Sequence, residues 1–400
     1  MLSRAAFEAN VAVFFVILGL TLFLKGVGEK PYLLIFSSLS FVVSMYTFNS
    51  SRIVVPLLVL ILATVFYKKL LSNLRMTIVS GLVGLVLFFP LLLFMRTPQA
   101  QLRFEEVNIF SDIGIINRTN QEIANDGNSP ISKVIHNRRF AFVVEYTRHY
   151  FDNLTPSFLF IKGDGNPKFS IQDVGSLYIW EIPFLIIGVL ILFRKRERYW
   201  WLVPVLLLSA IIPAGFARET PHALRIESGI IAFQILTAMG LVSSYYFLKR
   251  YSGVFVIVLG VIIIANFIYF LHNYSSNYAR EFSGEWQYGY KEAIAYINSV
   301  KDNYQGVYMT EALGRPYIYY LFYSKVAPQE FRKNSEVYRE TLGFVHVRRY
   351  NDIYFEKEIG KIDKKGSLYI AVPTEVPESG NIIKEFKLLN GKTSLVAYTL

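Results

Sequence analysis

Cysteine is absent from the 400-residue sequence and histidine occurs only five times. The first absence excludes a disulfide framework, a thiolate nucleophile and any Cys metal site. The histidines, at 136, 149, 222, 272 and 346, are scattered, so no metal cluster is legible from spacing. No GxxxxGK[ST] or GxGxxG phosphate loop and no HExxH motif occurs. Charge is scarce as well: Asp, Glu, Lys and Arg make up 18% of the chain, against roughly 25% in a soluble domain.

What replaces them is apolar. Hydrophobic residues reach 53%, and uncharged stretches recur through the first two thirds. Each approaches the length needed to cross a hydrocarbon core of about 30 Å at 1.5 Å per residue. Eight spans are predicted, at 9–25, 31–48, 53–67, 77–95, 177–193, 199–216, 226–247 and 252–271. The net charge of +11 could point to nucleic acid, but its placement argues against that partner. Lys25 and Lys30, then Lys68, Lys69 and Arg75, then Arg194, Lys195, Arg196 and Arg198, then Lys249 and Arg250 occupy alternate turns. Turns rich in Lys and Arg stay on the cytoplasmic side. This orientation predicts a multi-pass protein of the cell membrane, with its N-terminus, the 97–176 segment and everything after 272 outside.

The predicted spans hold almost no ionisable residue. A charge at mid-membrane costs roughly 2.5–3.5 kcal/mol on insertion scales and is kept where ions or protons must pass. Here charges gather at the outer span ends instead: Arg4, Glu8, Arg52, Arg218, Glu219, His222, Arg225 and Glu227. Such a distribution suits chemistry at the outer interface better than a transport path; ordinary loop charges are the plainer explanation.

Four regions follow: helices 1–4 in 1–96, an outer loop in 97–176, helices 5–8 in 177–272, and an extracytoplasmic α/β domain in 273–400. In the outer loop, 134–151 mixes apolar residues with Arg138, Arg139 and Arg148, as an interfacial helix does, although a helix packed on protein reads similarly. The run Gly163-Asp164-Gly165-Asn166-Pro167 is a turn cluster. In the last region, 288–300 and 316–323 read as helices and 305–310, 367–372 and 395–400 as strands.

The densest polar cluster beside a span is Arg218-Glu219-Thr220-Pro221-His222-Ala223-Leu224-Arg225. A His and an Arg three residues apart at a helix start share a face, and the N–H groups there attract anions. A phosphate at the outer interface would be met by both. An anchoring loop is the structural alternative. Ser3-Arg4-Ala5-Ala6-Phe7-Glu8-Ala9-Asn10 places an acid at the mouth of the first span, for a metal, for an acceptor hydroxyl, or as a simple cap.

Several segments occur in a telling order: Ser3 to Asn10, Tyr46-Thr47-Phe48-Asn49-Ser50-Ser51-Arg52, Phe158-Leu159-Phe160 with Gly163 to Pro167, Pro221 to Arg225, and Trp286-Gln287-Tyr288-Gly289-Tyr290 with Pro316 to Tyr323. Together they resemble the bacterial polyprenyl-phosphate-dependent glycosyltransferases of the protein mannosyltransferase-like GT-C superfamily, over essentially the whole chain. The resemblance implies a polytopic helical fold with an outer domain, and inverting transfer of a sugar from a lipid-linked phosphate donor to an acceptor on the outer face. It implies Glu8 as the catalytic-site acid that positions acceptor or metal, Arg225 on the carrier phosphate, and His222 on phosphate or metal. Arg218, Arg52 and Asp164 fall in its other substrate-facing segments. A divalent metal serves some members. The family's first outer loop, with its catalytic Asp, precedes the Ser-Arg-x-x-Phe-Glu segment, which here starts at residue 3. The expectation is an N-terminally shortened form. A transporter or lipid flippase, and a non-catalytic scaffold with a partner-binding outer domain, are the rival expectations.

Overall fold

The computed structural model describes residues 5, 7–339 and 345–400; Arg4 therefore lies outside the described residues. The chain forms two compact units, Met1–Phe270 and Leu271–Leu400.

The first unit is helical. An apolar helix stands at each predicted span: α1 (Glu8–Gly28), α2 (Leu33–Thr47), α3 (Ser51–Val65) and, after the short α4 (Tyr67–Ser72), α5 (Leu74–Met95). Four more helices, α6 (Pro98–Val107), α7 (Ile113–Asn125), α8 (Pro130–Ile135) and α9 (Arg138–Asp152), fill much of the segment read as an outer loop with one helix. Local capping explains the breaks. Asp112 accepts the Gly114 N–H, Ser129 the Ser132 N–H and Asn137 the Arg139 N–H, each satisfying a donor that a helix start leaves unpaired. The expected helix over 134–151 accordingly begins at Arg138. The bundle then resumes with α10 (Ile182–Lys195), α11 (Leu202–Gly215), α12 (Ile230–Leu248) and α13 (Ser252–His272).

Three helical runs are long and apolar enough to cross a membrane: Glu8–Gly28, Leu74–Met95 and Glu227–Glu281. The expectation of about eight spans goes further than this. Helices α2 and α3 have 15 residues each and α10 and α11 have 14, so at 1.5 Å per residue they fall short of a 30 Å core. Their ends are set by turn residues that hydropathy does not see.

Two contacts define the packing. Helices α1 and α2 run antiparallel, with the Ser37 hydroxyl donating to the Gly19 carbonyl at 2.7 Å. Helices α10 and α12 approach so closely that a Cβ on Gly188 would strike the Leu236 carbonyl and one on Gly240 the Phe184 carbonyl. Close backbone approach through small residues is how helices associate when no water drives them together. Helix α13 has no buried residue among those described; apolar all round, it needs a non-aqueous surrounding or a partner.

In the second unit α14 (Tyr278–Glu281), α15 (Tyr290–Val300), α16 (Pro316–Tyr323) and α17 (Pro328–Asn334) accompany seven strands. These are β1 (Val307–Thr310), β2 (Ser335–Arg339), β3 (Val345–Tyr350), β4 (Ile353–Glu356), β5 (Leu368–Ala371), β6 (Asn381–Lys387) and β7 (Thr393–Thr399). The sheet order is β2-β3-β4-β1-β5-β7-β6. The central β4-β1-β5 pairs are parallel and the flanking pairs antiparallel. Alternation along β1 sends Val307 and Met309 into one core with Ala293, Ile294 and Ile297 of α15. It sends Tyr308 into a second core with Tyr369 and Tyr398, whose rings stack at 4.7–5.4 Å from Tyr354 through to Tyr398.

Candidate functional site

The loop between α11 and α12 is held from below by one face of α9. The ring Nδ1 of His149 donates to the Ala217 carbonyl at 2.7 Å, and the Thr220 hydroxyl donates to Asp152 Oδ2 at 2.8 Å. Asn153, wholly buried, donates through Nδ2 to the His149 carbonyl at 2.8 Å and accepts the His222 N–H at 2.9 Å. A buried carboxamide with donor and acceptor both used is a rigid tie.

From the other side comes the 163–178 loop. Asp164 is 4% exposed. Its Oδ1 accepts the Asn166 N–H at 2.8 Å and its Oδ2 the Ala223 N–H at 2.7 Å. Burial lifts the Asp164 carboxyl above its ordinary range, and these two N–H groups pull back against that rise. His222 Nδ1 stands 3.9 Å from Asp164 Oδ2, too far for a hydrogen bond, and is buried without a hydrogen-bond partner among the described residues. Burial, then the Arg225 charge, press the His222 pKa down to about 3, so the imidazole is neutral. Phe169 stacks on the His222 ring at 5.1 Å and meets Phe7 edge-on at 5.4 Å. That ladder sets the start of α1 beside the loop.

Against these loops lies a cavity of about 440 Å³. Its polar lining includes Asn10 of α1, Glu181, Glu227 and Gln234, with Phe169, Tyr178, Phe233 and Phe270 supplying aromatic walls. Glu181 has both oxygens engaged: Oε1 accepts the Tyr178 N–H at 2.9 Å, and Oε2 the Thr237 hydroxyl at 3.4 Å. Glu227 Oε2 and Asn10 Nδ2 are buried without a hydrogen-bond partner among the described residues. Unmet polar atoms beside an empty space are what a hydrogen-bonding ligand would satisfy.

Of the residues singled out in the sequence, Asp164 and His222 are brought together, with Arg225 close enough for its charge to act on the imidazole. Glu8, the first residue of α1, is exposed and does not line the cavity. The Arg218 guanidinium is committed to the Asn108 carbonyl at 3.1 Å and the Ser111 carbonyl at 2.7 Å. Arg52 Nε donates to the Met45 carbonyl at 3.1 Å. Both therefore tie backbone segments. No three His, Asp or Glu side chains gather to hold a metal among the described residues.

Asn153, Asn10 and Phe169 were not legible as site residues, and Glu227 only as one of the charges at the outer span ends. Asn10 belongs to the segment that opens α1, and Glu227 follows Arg225 by two positions; that proximity is the signal the sequence offered for them. No family model, no curated protein and no solved structure matches the chain.

Proposed function

We propose that this chain is a membrane glycosyltransferase that moves a sugar from a polyprenyl-phosphate carrier to a lipid, glycan or protein acceptor at the outer face of the cytoplasmic membrane. In this reading the eight apolar helices span or line the bilayer and the C-terminal unit lies outside it. The observation that supports it most is the meeting of three chain segments around the 440 Å³ cavity: the start of α1, the Asp164 loop and the His222–Arg225 loop. Arg225 then faces the departing phosphate, where a fixed cation stabilises developing negative charge. Neutral His222 offers a hydrogen bond without bringing a charge of its own. The acceptor hydroxyl enters the cavity, where Glu227 Oε2 has no hydrogen-bond partner among the described residues. Glu8, outside the cavity, orients the acceptor at its mouth.

The test is transfer by the purified full chain in lipid nanodiscs, supplied with a panel of radiolabelled polyprenyl-phosphate sugars and a membrane-lipid acceptor extract. Turnover of one donor, with release of the carrier phosphate, is expected. Arg225→Ala should abolish it while insertion and melting stay as in the parent; unchanged turnover would remove Arg225 from the donor site. Glu8→Gln should cut activity strongly, and full activity would leave Glu8 as a helix cap. If no donor turns over and none protects the protein against thermal unfolding, the transferase reading is wrong.

A further inference from the structure

Helix α9 has two faces with opposite characters. The face carrying Phe142, Tyr146, His149 and Tyr150 is turned to the protein. Phe142 meets Phe110, Tyr146 meets Phe216, and the Tyr150 hydroxyl donates to the Leu208 carbonyl at 2.9 Å. Turned away from it, Phe140, Val143, Val144, Thr147 and Phe151 recur at helical spacing as one exposed stripe. Phe140 is 62% exposed, Val143 61% and Phe151 59%. The short α8 before it continues the pattern, with Ile131, Val134 and Ile135 all more than half exposed. Scattered apolar residues at a surface need no explanation, but a contiguous stripe does.

Cations border the stripe. Lys133, Arg138, Arg139 and Arg148 are all exposed. Arg138 and Arg139 open α9, where the helix dipole disfavours positive charge, and neither has an acidic partner among the described residues. Both features are unfavourable in water: the apolar stripe is wetted and the cations sit at the wrong helix end. An anionic lipid surface relieves the two together, since acyl chains take Phe140, Val143 and Phe151 while headgroup phosphates meet Arg138 and Arg139. A protein partner would cover the stripe but would have to supply the anions separately.

We infer that α8 and α9 form a lipid-docking platform that lies in the headgroup layer and prefers anionic lipid. Its inner face carries His149, Asp152 and Asn153, which grip Ala217, Thr220 and His222. The platform therefore sets the depth of the His222 loop relative to the bilayer surface. This inference does not depend on the reaction catalysed.

The absence of cysteine makes the test direct, because each introduced cysteine is a unique label. Full-length chains carrying Phe140→Cys, Val143→Cys, Val144→Cys or Phe151→Cys, with Asn128→Cys as the aqueous control, are spin-labelled in nanodiscs of phosphatidylcholine with or without phosphatidylglycerol. Collision with oxygen should rise, and collision with a water-soluble nickel chelate should fall, at the four stripe positions relative to Asn128. The double variant Arg138→Gln/Arg139→Gln should move the labels to shallower depth in the anionic discs and leave them unmoved in the neutral ones. Nickel collision at the stripe equal to that at Asn128 would overturn the platform. Labels shielded from both reagents would overturn it in favour of a covering protein or second copy. Depth insensitive to the arginines would overturn the anionic preference. Melting of each labelled chain beside the parent separates these outcomes from misfolding.

Discussion

Asp164 and His222 work against each other as titrating groups. The folded His222 pKa, near 3, lies below the ordinary 6.5, so the unfolded imidazole binds a proton first as pH falls. Its contribution to stability is complete above about 6.5 and is lost as pH drops toward 3. Asp164, raised by burial, acts in the opposite sense, giving up stability as pH rises from its unfolded value of 3.8 through its folded one. Because the two act in opposite senses, the His222 share is read by difference: acidification of the detergent-solubilised chain from pH 7 to pH 4 should cost the parent more melting temperature than it costs His222→Gln. A slope identical in the variant would show that another group governs the acid limb. Asp164→Asn keeps one carbonyl oxygen but exchanges the other acceptor for a donor, which then confronts an N–H. Leaving one buried N–H unmet costs about 1–3 kcal/mol, to be read from chemical denaturation. None of this pairing was legible in the sequence. Asp164 and Ala223 are brought together by Asn153, whose role depends on burial, and by Phe169, whose ring is one among 33 phenylalanines.

Hydropathy located every apolar helix of the first unit, because a run without charge is long and its signal accumulates. The starts of α8 and α9 were less legible, since Ser129 and Asn137 cap through single hydrogen bonds in a segment of mixed polarity. In the second unit the helix at α15 and the strands β1, β5 and β7 were legible from buried apolar runs such as Leu368–Ala371. Strand β6 was not: only Phe386 is buried along it, as befits an edge. In β3 the adjacent Arg348 and Arg349, both exposed, break the alternation. At the same scale, Gly188 and Gly240 let α10 and α12 touch backbone to backbone. Gly240→Ala has no room for its methyl and should cost about 1–3 kcal/mol as the helices part, lowering thermal stability without changing helix content. A wild-type melting temperature would mean that α12 slides or rotates freely on α10.

Two units with separate cores imply two folding events. Residues 271–400 own a continuous core on one side of their sheet and a tyrosine stack on the other, and domains of that size commonly fold alone. Expressed without the helical unit, this piece should be soluble and unfold cooperatively in urea. Tyr369→Ala should then remove about 3–5 kcal/mol, the usual loss for a large buried ring. A piece that shows strand signal but no sharp transition would mean that its order is borrowed from the rest of the chain. The helical unit is the converse case. Helices apolar all round, such as α13, take their stability from what surrounds them, and a hydrophobic environment has to be supplied before any of its packing can be measured.

The carboxamide at position 153 begins an Asn-Leu-Thr sequence that oligosaccharide-attaching enzymes accept. In the finished fold that nitrogen is sealed from solvent and already spent on the His149 carbonyl, so no glycan can be added once the chain has closed. Production in a host that decorates nascent chains would reach Asn153 before closure, and each sugar added there would leave His222 without its seat. The choice of expression host thus decides whether the His222 loop keeps its anchor.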